Sequence, residues 1–196
     1  MKRIKFLTCF VVLSLCSFNR TNVPEETYQL YGAVINLLAA SSSYSYAVVA
    51  DSTTVHQLQN VDFRQLRGRT LNPAIQRLVD APDWSAFLTA IQTKNVRNGR
   101  LADMFATKTK VRLLSKAGPM YKRDGSGGAT NRRRKFRTVL GPLFLSPVIF
   151  SADHSKAIFS VYQYHGPENS AATLYLFDRK EDTSWRLYTS ILLSIS

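Results

Sequence analysis

Apolar residues in the last quarter of the chain, from Gly141 to Ser196, fall into four short runs separated by turns. The runs are rich in β-branched and aromatic residues, and the dividers of about five residues are rich in Gly, Pro, Asn, Asp or Ser. This pattern predicts an antiparallel meander on which the upstream elements pack. The four predicted strands are Leu143–Phe150, Lys156–His165, Ala171–Asp178 and Ser184–Leu193.

Helical periodicity is strongest nearer the start of the chain. Apolar residues recur at three-to-four spacing in Pro24–Ala40, which begins with a proline and two glutamates suited to a first helical turn. One side of this helix should therefore lie on the sheet. Trp84–Ile91 has the same spacing, and a shorter helix is predicted near Ala74–Val79. Tyr44–Ala50 and Val111–Leu114 are predicted to be further strands.

These elements predict an α+β fold, with an antiparallel sheet of about four to six strands and the N-terminal and central helices packed on one face. The length of 196 residues favours a single domain, residues 18–196, with a flexible basic loop near residues 122–137. This loop includes the sequence DGSGGAT. It lacks the GK[ST] ending and the fixed glycine spacing of phosphate-binding loops, so we interpret it as a linker.

The segment Met1–Ser17 has the organisation of a signal peptide: three basic residues precede an apolar run that is shorter than the roughly 20 residues of a transmembrane helix. We therefore predict export to the periplasm, the cell envelope or the medium. Cys16 is a candidate lipidation site, because Leu13-Ser14-Leu15 resembles a lipobox. The motif has a small residue where Leu15 stands. No other stretch is long and apolar enough to predict a transmembrane span.

Positive charge is concentrated in one part of the chain, Lys94–Arg137, which we call the basic segment. It contains fourteen Lys or Arg and two acids, a net charge of +12 out of +13 for the whole chain. Arginine-rich runs hold phosphate or sulfate groups through guanidinium forks, and they also contact anionic lipid head groups. The candidate anion-binding residues are Lys122, Arg123, Arg132, Arg133, Arg134, Lys135 and Arg137.

The partners that this charge favours are a polyanion, an anionic lipid surface or an acidic protein. Nucleic acid is disfavoured, because an exported protein seldom meets it and because the run Asn131–Arg137 has a single aromatic residue, Phe136, where stacking platforms use several. The alternative interpretation is a solvated face that only maintains solubility.

The sequence contains no recognisable catalytic team, and we predict no catalytic residue, metal ligand or cofactor. Both cysteines lie in the signal-like start, the three histidines lack metal-ligand spacing, and GxSxG and SxxK motifs are absent. Acids at the ends of predicted strands are typical turn residues, and their positions in the sequence do not give the distances between them in the fold. They are Asp51, Asp153, Glu168 and Asp178.

The C-terminal region resembles a family of small secreted or lipid-anchored proteins of Gram-negative bacteria whose function is uncharacterised. The resemblance rests on Leu145-Ser146 with Phe150, then on Ala157–Tyr164, Gly166, and Leu176 to Lys180 with Trp185. The chain departs from the family pattern at Pro167-Glu168-Asn169, where the family carries more glycines and sometimes cysteines. The resemblance implies an envelope location and an α+β fold, and it implies no activity.

Three functional hypotheses follow. The first is a non-enzymatic secreted or envelope protein whose basic segment binds an anionic partner. The second is a hydrolase that uses carboxylates gathered from strand ends, which requires two acids about 5–10 Å apart in a pocket. The third is a protein–protein module, such as an inhibitor or immunity protein, which requires an apolar surface patch larger than the few hundred Å² that are usual for a monomer.

Overall fold

The computed structural model describes residues 23–40, 44–55, 76–77, 81–91, 94, 96–117, 139–164, 169–179 and 184–195. Two helices, α1 (Glu25–Ala40) and α2 (Pro82–Ile91), accompany the strands, and residues 76–77 are also helical. The strands are β1 (Tyr46–Val49), β2 (Val111–Leu113), β3 (Val139–Leu145), β4 (Ile149–Phe150), β5 (Lys156–Tyr164), β6 (Ser170–Arg179) and β7 (Trp185–Ile195), with a 3-10 turn at Leu114–Lys116.

The described residues form one seven-stranded mixed sheet in the order β2-β1-β3-β5-β6-β7, with β4 paired to β5 beyond the end of β3. Pairing is parallel between β1 and both of its neighbours, and antiparallel everywhere else. The predicted α+β class and the C-terminal antiparallel strands are confirmed. The two parallel pairings are not part of the prediction, because the parallel partners of β1 lie far from it in sequence and no local turn signals them.

The predicted strand Leu143–Phe150 is divided into β3 and β4, which lie along the same edge of β5. The break falls at Pro147, which has no backbone N–H to donate to a strand ladder. Ser146 bridges the gap: its backbone N–H donates to Ser160 O at 2.9 Å, and its hydroxyl accepts from the N–H of Ser160 at 2.8 Å. The chain therefore turns away from the sheet between Ser146 and Val148 without leaving these buried groups unpaired.

Helix α1 packs on one face of the sheet, as its periodicity predicts. Its Tyr31 is fully buried and makes an edge contact with Phe159, which stacks on Tyr175 and Phe177. Residues 102–108 contact a second side of α1, where the Phe105 ring lies against Tyr28 and the Lys108 N–H donates to Asn36 Oδ1. The helix is thus enclosed on two sides rather than one.

Helix α2 packs on the opposite face, where its apolar residues Trp84, Phe87, Leu88 and Ile91 meet Ile158, Leu174, Leu176 and Ile191. The prediction that both helices lie on one face is corrected in this detail. The reason is visible on β5, where Ile158 faces α2 and its neighbour Phe159 faces α1, both fully buried. Successive side chains of a strand point to opposite faces, so a strand that is buried at every position from Ala157 to Val161 needs cover on both.

The backbone conformation at position 141 in β3 requires glycine. Its φ of +105° lies in a region that favours glycine, and a Cβ atom there would lie 2.5 Å from the carbonyl oxygen of Val48. This contact between β3 and β1 brings the two parallel strands close together. Any larger residue at this position would force them apart.

Candidate functional site

The seven predicted anion-binding residues, from Lys122 to Arg137, lie outside the described residues, and so do Cys16, the signal-like start and the glycine-rich loop. These predictions stay predictions. The structure does describe the first part of the basic segment, up to Ala117. That part carries Lys94, Arg97, Arg100, Lys108, Lys110, Arg112 and Lys116.

All seven of these cations are exposed. None of them lies within 4.0 Å of a carboxylate oxygen among the residues that the structure describes. Two have other contacts: the Lys94 ammonium donates to Phe150 O at 2.7 Å, and the Arg112 guanidinium lies 4.7 Å from the centre of the Tyr46 ring. The described half of the basic segment therefore presents its charge to solvent.

Acids in the rest of the described chain are mostly engaged by other partners. Asp178 accepts two hydrogen bonds from Arg186, and Asp51 accepts from the backbone and hydroxyl of Ser115. Asp83 lies 4.0 Å from the ammonium of Lys156. Asp83 and Asp178 thus lie beside cations outside the basic segment, whereas Asp51 keeps its charge next to Ser115 within that segment.

A cavity of about 570 Å³ lies beside the start of the basic segment. It is bounded by the first turn of α1, the loop after α2, Thr53 and the chain from β4 into the β4–β5 turn. Its described lining is Val23, Pro24, Thr27, Tyr31, Thr53, Lys94, Val96, Arg97, Gly99, Pro147, Val148, Ile149, Phe150, Ser151, Ala152 and His154.

Three basic side chains, Lys94, Arg97 and His154, line this cavity, and no Asp or Glu does so among the described lining residues. Lys94 and Arg97 come from the loop after α2, and His154 comes from the β4–β5 turn. Residues more than fifty positions apart therefore meet at one opening. The sequence alone links Lys94 and Arg97 through the basic segment, and it offers no signal for the third residue.

His154 is held in place by its turn. Its φ of 54° is in the left-handed region that non-glycine residues rarely occupy, and its backbone N–H donates to Ser151 O at 3.1 Å. The imidazole stacks on the Phe150 ring with centroids 5.2 Å apart, and Nδ1 lies 3.5 Å from the Glu26 carboxylate. This histidine occupies the predicted turn between two strands, with 59% of its side chain exposed, but its ring has a defined orientation.

Asp153 is the residue that closes this turn. Its carboxylate accepts hydrogen bonds from the hydroxyls of Ser151 and Ser155 and from the Ser155 backbone N–H, at 2.6, 2.7 and 3.1 Å. These bonds, the one from Ser151 first, hold the pKa of Asp153 well below its ordinary value. The carboxyl group therefore stays ionised and acts as a structural acceptor rather than as a proton donor.

Glu26 joins α1 to the C-terminal strands, a role that the sequence did not indicate. Its carboxylate pairs with the guanidinium of Arg179 and accepts a hydrogen bond from Trp185 Nε1 at 3.1 Å. The Arg179 guanidinium also lies 4.4 Å from the centre of the Trp185 ring. We predicted Glu26 only as a complement to the helix dipole. Its wider role depends on the fold bringing residue 26 next to residues 179 and 185.

Each described strand-end acid is already engaged in hydrogen bonds that stabilise its own surroundings. Asp51, Asp153 and Asp178 each bond to a different set of neighbours, and Glu168 lies outside the described residues. Within the described ranges there is no group of three or more His, Cys, Asp or Glu placed to hold a metal ion. No observation therefore favours the hydrolase hypothesis.

Exposed apolar side chains are clustered on β7, which is an outer strand of the described sheet. Tyr188 is 39% exposed, Leu192 is 55% exposed and Ile195 is 72% exposed. The other two exposed large apolar side chains of the described residues, Leu37 and Met104, lie on α1 and before β2. In the described part of the chain, no helix has the length and apolar character needed to cross a membrane.

Comparison with known proteins does not add a relative to this picture. No protein-family model, no curated protein and no solved structure matches this chain.

Proposed function

We propose that this protein is an exported, non-enzymatic binding protein of the cell envelope or its surroundings, and that its basic segment holds an anionic partner. The proposal combines the signal-like start, Met1–Ser17, with the net charge of +12 between Lys94 and Arg137. The partner classes are a polyanion, an anionic lipid surface or an acidic protein, with a sulfated or phosphorylated polymer first among them.

One observation carries the proposal: the seven described cations of the basic segment are exposed and unpaired with acids of the described chain, while Glu26, Asp83 and Asp178 are paired elsewhere. Like charges that lack counter-charges repel one another and reduce the stability of the compact state. The same arrangement produces a positive surface potential that attracts anions and speeds their association. A solvated face would need no such concentration in one segment.

Heparin-affinity chromatography tests this proposal directly. We expect the protein to be retained at low salt and to elute as the ionic strength rises past about 0.1 M, where the screening length falls to about 10 Å. Replacing Arg132, Arg133, Arg134 and Lys135 together by glutamine should abolish retention. If this fourfold variant binds as the parent protein does, the proposal is wrong.

A matched pair of single variants separates local charge from total charge. Arg112 on β2 and Arg186 on β7 are exposed arginines on the two outer strands, but only Arg186 is paired with an acid, Asp178. Arg112→Gln should lower the salt concentration of elution, and Arg186→Gln should leave it nearly unchanged. Equal effects would indicate that net charge alone matters and that the basic segment has no special role.

Sedimentation with lipid vesicles distinguishes a membrane surface from a soluble polymer. Binding to vesicles that contain phosphatidylglycerol, with none to purely zwitterionic vesicles, would identify anionic lipid as a partner. Intact-mass measurement of the protein recovered from an exporting host tests the localisation. Loss of the first seventeen residues would support the signal peptide, and a lipid-sized mass increase on a chain beginning at Cys16 would identify lipidation.

A further inference from the structure

We propose that the cavity between the first turn of α1 and the β4–β5 turn binds a small amphipathic anion, a molecule with a carboxylate or phosphate head and an apolar body. This ligand differs from the polymeric partner proposed above. The cavity shares Lys94 and Arg97 with the basic segment, and it adds His154 and an apolar wall that the segment does not provide.

The size of the cavity suits a small organic molecule. Its volume of about 570 Å³ lies within the range of roughly 300–1,000 Å³ that is typical of ligand pockets. Six of the lining residues have apolar side chains that could contact the body of a ligand. They are Val23, Val96, Pro147, Val148, Ile149 and Phe150.

Part of this wall is rigid. Ile149 is only 4% exposed and packs into the core under α2, and Tyr31 is fully buried, with its hydroxyl donating to Ser146 O at 2.6 Å. The Ser151–Ser155 turn is fixed by the Asp153 hydrogen bonds described above. A site whose wall is held by the core does not need to be ordered when a ligand enters, which favours binding.

The basic side chains provide donors for an anionic head group. An ammonium group has three donors, and within the described residues one Lys94 donor is used, in the bond to Phe150 O. The Arg97 guanidinium is exposed and has no carboxylate within 4.0 Å in the described chain. Because Lys94 is tethered to the backbone of β4, its charge is kept at the cavity rather than free to extend into solvent.

The two acids beside or next to His154 have other partners. The Glu26 carboxylate lies 3.5 Å from His154 Nδ1, but it is already paired with Arg179 and bonded to Trp185. The Asp153 carboxylate is engaged by the two serines of its own turn. The described lining therefore has two unpaired full charges, those of Lys94 and Arg97, facing an apolar wall.

This combination selects the chemical class. An inorganic anion would leave the apolar wall wet, and a neutral apolar molecule would leave Lys94 and Arg97 without a counter-charge. An amphipathic anion satisfies both parts, because its body displaces water from the wall and its head accepts charge-assisted hydrogen bonds. Carboxylate and phosphate heads share this chemistry, and they are separated by experiment.

Isothermal titration calorimetry with octanoate, octyl phosphate and octan-1-ol, each below its aggregation limit, tests the proposal on the full folded chain. We expect octanoate or octyl phosphate to bind with one site per chain, and octan-1-ol to bind at least about tenfold more weakly, because the alcohol lacks the charged head that accepts charge-assisted hydrogen bonds. The stronger of the two anions identifies the head group.

The double variant Lys94→Gln/Arg97→Gln should weaken binding of the preferred anion about tenfold or more, while Lys110→Gln/Lys116→Gln, which removes two exposed charges away from the cavity, should not. Both changes are at exposed positions and should preserve the fold, as a thermal melt would verify. Equal binding of octan-1-ol and the anions, or an unchanged affinity in the cavity variant, would overturn the proposal.

The fourfold glutamine variant of Arg132–Lys135 keeps the two proposals independent. It should lose retention on heparin and retain the amphipathic anion. The opposite pattern is expected for the cavity variant, which should remain on heparin because twelve of the fourteen positive charges of the basic segment are intact. Loss of anion binding in the fourfold variant would place the head group outside the cavity and would also overturn the proposal.

Discussion

The two faces of the sheet are stabilised in different ways. Under α1, the sheet contributes a group of aromatic rings: Phe159 contacts Tyr31, Tyr175 and Phe177. Under α2, the buried side chains of the sheet are aliphatic, and the partly exposed Tyr188 of β7 lies against Trp84 with ring centroids 5.1 Å apart. The helices that cover the two faces also differ in length: α1 has 16 residues and α2 has 10.

Polar attachments increase the difference. Helix α1 is joined to distant parts of the chain by Tyr31 to Ser146 O, by the Ala102 N–H to the Tyr28 hydroxyl at 2.8 Å, and by the Lys108 N–H to Asn36 Oδ1 at 2.9 Å. The described contacts of α2 are mainly apolar, with one long ion pair between Asp83 and Lys156. The α1 face should therefore behave as the stable scaffold, and α2 as the element that opens first.

Removing the central ring of the α1 face should have the largest effect. Phe159→Ala should lower the free energy of unfolding by about 4 kcal/mol, because it deletes a fully buried ring that three aromatic neighbours contact. Urea unfolding followed by circular dichroism would measure the change. The neighbouring Ile158→Ala, on the α2 face, is the matched control and should cost less, and a larger cost there would reverse the proposed ranking of the faces.

Removing an apolar contact of α2 should have a smaller effect on global stability. Leu88 is 4% exposed, and Leu88→Ala should cost about 2 kcal/mol, at the low end for core leucines, because a short surface helix can settle into the space. Amide hydrogen exchange should show faster exchange throughout α2 in this variant while α1 remains protected. Equal loss of protection in both helices would contradict the view that α2 opens separately.

Tyr31→Phe tests the polar attachment of α1. It removes the hydrogen bond to Ser146 O and should cost about 1–2 kcal/mol, since a buried acceptor loses its donor. Burial raises the pKa of Tyr31 well above the ordinary tyrosine value of about 10, so the folded state holds the neutral phenol. The buried phenol of Tyr31 therefore contributes fully to the free energy of unfolding below pH 10, and this contribution is lost as the pH rises above that value.

The phenylalanine variant should accordingly be less sensitive to alkaline pH than the parent. Urea unfolding on either side of the ordinary tyrosine pKa of about 10 would show this as a smaller decrease in stability. Part of the decrease should remain, because burial also raises the pKa of Tyr175. An identical alkaline decrease in both proteins would show that Tyr31 is not the buried phenol responsible.

The exposed apolar positions of β7 should matter least. Leu192 is 55% exposed, so Leu192→Lys should change the free energy of unfolding by no more than about 0.5 kcal/mol. The neighbouring Ile191, 1% exposed under α2, provides the control, and Ile191→Lys should unfold the protein or cost several times more. A similar cost at both positions would mean that Leu192 is covered in solution.

Much of the fold could be predicted from local patterns. The helix Pro24–Ala40 and the C-terminal strands could be predicted from the sequence, because their periodicity and turn residues are local signals. The division at Pro147 was missed, although the proline itself was the available signal. The placement of the helices on opposite faces was missed because periodicity marks the apolar side of a helix and not the face of the sheet that it covers.

The candidate site could be predicted only in part. The charge of Lys94–Arg137 is a property of composition, and it drew attention to the segment in which Lys94 and Arg97 lie. His154 and Glu26 carried no such signal, since a turn histidine and a helix-start glutamate are common in structures that bind nothing. Their roles appear only when the turn after β4 is placed beside the first turn of α1.

The sequence by itself determined the class of elements, the apolar runs that become β5 and β6, and the charge asymmetry between the basic segment and the rest of the chain. These depend on neighbours within a few positions and on composition. Tertiary structure decided the parallel pairing of β1, the opposite placement of the helices, and the meeting of Lys94, Arg97 and His154 around one cavity. Such arrangements depend on contacts between distant residues, and burial of both faces of β5 accounts for the opposite placement of the helices.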